Sequence, residues 1–78
     1  MTTAAFEKKR EEYWALRFQL LGMIHTEQDP KRLKRLKREY DRLVKKEHKV
    51  GIDPLTIGIL LAILQAVIKW WRSTREKT

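Results

Sequence analysis

The sequence predicts an all-α fold: an antiparallel helical hairpin over residues 1–50, followed over residues 51–78 by one hydrophobic C-terminal helix that reads as transmembrane. Three observations carry this. Apolar residues recur at helical spacing and nowhere alternate with period two between turn residues, so strands are not expected. The pair Asp-Pro occurs twice, as Asp29-Pro30 and Asp53-Pro54. In each, Asp can cap the free N–H groups of a helix start while Pro takes the first helical position, where its missing donor costs nothing. Finally, the stretch PLTIGILLAILQAVIKWW, residues 54–71, contains a single ionisable side chain, Lys69.

These signals place helices at roughly 3–27, 30–49 and 54–75. Gly51 suits the left-handed position that ends a helix. In the first helix Phe6, Tyr13, Trp14, Leu16, Leu20, Leu21, Met23 and Ile24 fall on one broad arc, with Arg10 and Arg17 inside it. That arc needs a partner, and Arg17 is expected to reach solvent or a carboxylate. In the second helix Leu33, Leu36, Tyr40 and Leu43, joined by Val44, follow the 3-4 spacing of a coiled-coil seam. A sharp reversal at Asp29-Pro30 then folds the first two helices into the hairpin.

The third helix shows scarcely any polar face. At about 1.5 Å per residue its apolar stretch is about 27 Å long, close to the hydrocarbon thickness of a bilayer at about 30 Å. Trp70 and Trp71, flanked by Lys69 and Arg72, are the amphipathic and cationic side chains expected at the membrane–water interface. Gly58, Ala62 and Ala66 recur every four residues with Gln65 beside them. Such small-residue spacing allows close helix approach, and an amide in apolar surroundings seeks a partner across the interface. The stretch from Leu55 to Ile68 is therefore expected to be sheltered by lipid or by other chains.

Charge is distributed unevenly. The chain has 78 residues, 18 Lys+Arg and 10 Asp+Glu, for a net charge of +8 and a pI near 10.1. Residues 30–50 hold ten Lys and Arg against Glu39, Asp41 and Glu47, a local net of +7. Ten cations in so short a helix exceed what solubility requires, and each cation near an acidic bilayer contributes about 1 kcal/mol. Lys31, Arg32, Lys34, Arg35, Arg38, Arg42, Lys45 and Lys46 are thus the candidate polyanion-binding residues, the polyanion being acidic lipid or a nucleic-acid phosphate backbone. Tyr40 lies on the apolar stripe rather than among the cations, so stacking of bases is not indicated.

The inventory gives little material for catalysis. There is no Cys, hence no disulfide, thiolate site or cysteine nucleophile. His25 and His48 are far apart, with no second His at helical spacing to begin a metal site. Ser73 has no base beside it. No catalytic residue, metal or cofactor is expected. Below about 70 to 80 residues a lone core seldom supplies more than about 3 to 5 kcal/mol, which favours support from a membrane, from oligomerisation or from a large assembly.

The expectation is a non-enzymatic structural subunit whose anchor helix sits in a membrane or in the apolar interior of a complex, as a homo-oligomer or part of a larger assembly. Its basic helix would contact nucleic acid or acidic lipid. A lysis-type or pore-forming protein, and a soluble oligomeric nucleic-acid-binding scaffold, are the alternatives. The first thirty residues lack an apolar run of secretory length, so a cleaved signal is not expected. By the excess of Lys and Arg before the span over Arg72, Arg75 and Lys77 after it, the hairpin is expected on the cytoplasmic side, or toward the nucleic acid in a virion. A short basic helical head followed by one terminal hydrophobic helix resembles small bacteriophage virion and lysis proteins and small subunits of membrane complexes. Many single-stranded RNA phage lysis proteins carry a Leu-Ser pair at the start of their apolar stretch, and that pair is absent here.

Overall fold

A computed structural model describes residues 3–76, which form three helices and no strand: α1 (Thr3–Thr26), α2 (Pro30–Val50) and α3 (Ile57–Glu76). They pack up-down-up into a bundle 45 × 24 × 16 Å. Tyr13 of α1 reaches Glu47 near the end of α2, so these two run antiparallel. Glu12 meets Gln65 and Glu27 meets Trp71, so α1 and α3 run parallel. α3 lies chiefly against α1 and also against α2.

The turns explain the boundaries. At the first, Asp29 has extended backbone (φ −76°, ψ 119°), its carboxylate accepts from Lys31 N and its carbonyl accepts from Leu33 N, while Pro30 opens α2. At the second, Gly51 N–H donates to the Glu47 carbonyl at 2.8 Å and closes α2. Gly51 has φ 77° and ψ 168°. This is not the left-handed helical conformation expected from sequence but the extended positive-φ region, which a Cβ effectively forbids. Asp53 then caps as anticipated, its Oδ1 accepting from Leu55 N at 2.8 Å and Thr56 N at 3.0 Å. Regular helix begins three residues after Pro54, at Ile57, because Thr56 Oγ1 donates to the Gly51 carbonyl and ties the segment into a turn.

One core runs through all three helices. Tyr13, Leu20 and Met23 come from α1, Leu36 and Leu43 from α2, and Ile57, Leu60, Leu61, Leu64, Val67 and Ile68 from α3. The α3 residues recur at three- and four-residue steps, which is one stripe of a helix. Burying each such aliphatic side chain contributes about 1.5 to 3 kcal/mol before entropy is counted. The shelter expected from lipid or other chains is thus supplied, for this face of α3, by the chain's own first two helices. The other face is not covered: Leu55 is 89% exposed and Ile59 53% exposed, and Gly58, Ala62 and Ala66 are exposed beside them.

Candidate functional site

Ile59, Ala62 and Ala66 are spaced by three and four, so they line one stripe along the outer side of α3, and exposed Leu55 lies in the turn just before that helix. On the neighbouring edge of α2, Arg35, Arg42 and Lys46 are spaced by seven and four and form a parallel cationic ridge, interrupted by Glu39. Between ridge and stripe lies a groove of ≈ 320 Å³, lined on the α2 side by these four residues and Leu43, and on the α3 side by Ile63, Ala66, Val67 and Trp70. Ala66 belongs to both stripe and groove. One side of the bundle therefore joins an exposed apolar strip to a row of cations.

The eight candidate cations of α2 have different surroundings. Lys31, Lys34, Arg38 and Lys46 are exposed and, among the described residues, make no ion pair. Arg42, with a side chain 73% exposed, stands 3.5 Å from Glu39, and exposed Lys45 stands 3.2 Å from Asp41. Both are helix-surface pairs that contribute little. Arg35 lies over the Trp70 ring, 4.5 Å from its centroid. Arg32 is drawn inward instead, its Nε 3.1 Å from Glu27 and 3.6 Å from Asp29.

Glu27 is the residue that sequence reasoning missed. Its side chain, 5% exposed, accepts from Gln28 N and Asp29 N at 3.1 Å each, from Arg32 Nε at 3.1 Å and from Trp71 Nε1 at 2.7 Å. One carboxylate thereby ties together the end of α1, the start of α2 and the last turns of α3. Burial disfavours its charged form, but the Asp29 N–H, the Trp71 indole and Arg32 outweigh that and lower its pKa to about 2. A buried Trp needs an acceptor for its N–H, but Trp71 and Glu27 are 44 residues apart, so no local pattern marks the pair.

A second polar cluster sits near mid-bundle. Glu47 accepts the Tyr13 hydroxyl and pairs with Arg17, whose Nε lies 2.8 Å away but off the line of a directed hydrogen bond. Arg17 is also stacked between the Trp14 and Tyr40 rings, at 4.9 and 5.5 Å. It does reach a carboxylate, as one of the two outcomes expected. Burial, reinforced by the hydrogen bond to Glu47, raises the Tyr13 phenol well above its ordinary pKa. This cluster locks α1 to α2.

The remaining sequence candidates fall on α3. Gln65 finds its partner within the chain, donating to Glu12 at 3.4 Å. Gly58, Ala62 and Ala66 remain at the surface. Lys69 and Arg72 are exposed, whereas Trp70 and Trp71 are half-buried under Arg35 and against Glu27. His25 and His48 are exposed in the last turns of α1 and α2. No group of three His, Asp or Glu able to hold a metal occurs among the described residues. Lys77 lies outside the described residues. α3 is long and apolar enough to cross a membrane.

Compared with protein families, curated proteins and solved structures, the chain matches none.

Proposed function

We propose that this chain is a non-enzymatic structural subunit that attaches to an acidic membrane surface through α3, with the cations of α2 contacting lipid phosphates. The observation that carries this is the coincidence, on one side of the bundle, of the exposed stripe Ile59, Ala62 and Ala66 with the ridge Arg35, Arg42 and Lys46. Apolar contact with the acyl boundary and electrostatic attraction to head groups then act together, as in helices that lie in the membrane interface. Acidic lipid is favoured over nucleic acid because a phosphate backbone has no use for an aliphatic strip. The ring of Tyr40 is also covered by Arg17 and that of Trp70 by Arg35, so neither offers a bare stacking platform.

The surface-bound bundle is the form in which the core remains intact. A spanning form requires Leu60, Leu64 and their neighbours to leave α1 and α2, a loss that lipid tails as apolar as Leu can offset. In that form the positive-inside rule puts α1 and α2 on the cytoplasmic side.

Flotation with vesicles tests the proposal. The chain is expected to float with acidic vesicles and not with zwitterionic ones, and to be released progressively between about 50 and 200 mM salt as screening increases. Failure to float with acidic vesicles at low salt contradicts the proposal, and tighter binding to duplex DNA than to those vesicles at the same salt favours the nucleic-acid reading. Carbonate releases a surface-bound chain and leaves a spanning one in the pellet.

A further inference from the structure

We infer that the groove between α2 and α3 holds one acidic phospholipid, its phosphate against Arg42 and Lys46 and an acyl chain along Ala66 and Val67. This rests on the reading of that side as the membrane-facing one and specifies the ligand it takes. Two properties of the groove point to an amphiphilic anion. One wall is cationic, with Arg35, Arg42 and Lys46 set against the single carboxylate of Glu39, while the floor and opposite wall are apolar, formed by Leu43, Ile63, Ala66, Val67 and the Trp70 ring. A free phosphate would leave that floor wet, and an uncharged amphiphile would leave the ridge unused.

The ridge residues are not equivalent. Arg35 is held over Trp70, which lines the groove with it. Arg42 has only a 3.5 Å contact with Glu39, and Lys46 has no ion pair among the described residues, so both heads are available. Guanidinium-to-phosphate contacts are short, bidentate and stronger than an exposed pair at that distance. On the other side, Ala66 keeps the groove open: the helical step there carries only a methyl group, between Ile63 and Trp70.

The test is an NMR titration of the full chain with dihexanoyl phosphatidylglycerol below its micelle concentration. Dihexanoyl phosphatidylcholine and inorganic phosphate are the controls. The phosphatidylglycerol is expected to shift the Trp70 indole and the Ala66 and Val67 amides saturably, and the controls are expected to leave them in place. The double variant Arg42→Gln, Lys46→Gln should weaken binding about tenfold or more, the effect of losing a charge-assisted hydrogen bond. Ala66→Phe fills the groove from an exposed position and should abolish these shifts. Equal shifts with phosphate, equal shifts with phosphatidylcholine, or unchanged binding by Ala66→Phe each overturn the inference. If wild type floats with acidic vesicles while the groove resonances stay silent, the lipid site fails and the surface-binding proposal stands. If it does neither, both fail.

Discussion

The two faces of α3 are built from the same kinds of residue and have opposite surroundings. Leu60 and Leu64 are wholly buried, while Ile59, one step away, is more than half exposed. Hydrophobicity alone therefore does not decide which side of this helix is core. The partner decides it: Tyr13 and Leu20 of α1 and Leu36 and Leu43 of α2 pack only toward the inner stripe. The outer stripe is left exposed.

The largest contrast comes from truncation on each face. Leu64→Ala, at a fully buried site, is expected to cost about 2 to 5 kcal/mol, comparable with everything a core of this size supplies. Circular dichroism with urea should show a largely unfolded chain. Ile59→Ala should shift stability by no more than about 0.5 kcal/mol, because its side chain already meets solvent. Equal losses at the two positions would break the comparison.

A charge on the outer face moves the effect from stability to binding. Ile59→Asp should leave the urea midpoint nearly unchanged but reduce partition onto acidic vesicles by about tenfold to a hundredfold. That is the equivalent of withdrawing one buried aliphatic side chain, about 1.5 to 3 kcal/mol. Unaltered partition by this variant would mean that the stripe does not meet the membrane.

Glu27 sharpens the comparison at the far end of α3, where it holds Trp71 to the rest of the bundle. Glu27→Gln keeps the shape and loses the charge-assisted bond to Arg32, for an expected loss of about 1 to 2 kcal/mol. The pH dependence follows from the sign of its shift. With a folded pKa lowered from 4.5 to about 2, Glu27 stabilises the fold fully above pH 4.5, and that contribution is lost as pH falls toward 2. Thermal melts of wild type should therefore weaken more steeply over this window than those of Glu27→Gln.

Much of the fold was legible in the sequence because local signals and tertiary structure agree. The stripe of Leu36 and Leu43 is the buried face of α2, Asp29-Pro30 stands at the start of α2 while Asp53-Pro54 opens the turn that precedes α3, and Gly51 ends α2 at a positive φ, though in a different region from the one expected. What was not legible depends on residues distant in the chain. The two faces of α3 cannot be told apart by composition, since Ile59 and Leu60 are equally apolar. Likewise Arg32 and Arg35 look like any other cation of α2, yet one turns to Glu27 and the other covers Trp70. The groove was invisible for the same reason, because Lys46 and Ala66 meet only once α2 and α3 are packed.

The absence of native cysteine makes the most direct measurement simple. Ile59→Cys and Leu60→Cys, prepared separately, can be timed for reaction with a water-soluble maleimide, with and without acidic vesicles. In buffer the cysteine at position 59 should react fast and that at position 60 slowly, and vesicles should protect position 59. Equal rates at the two positions in buffer, or a reaction at position 59 that vesicles do not slow, would contradict a helix with one face held by its own chain and the other given to the membrane.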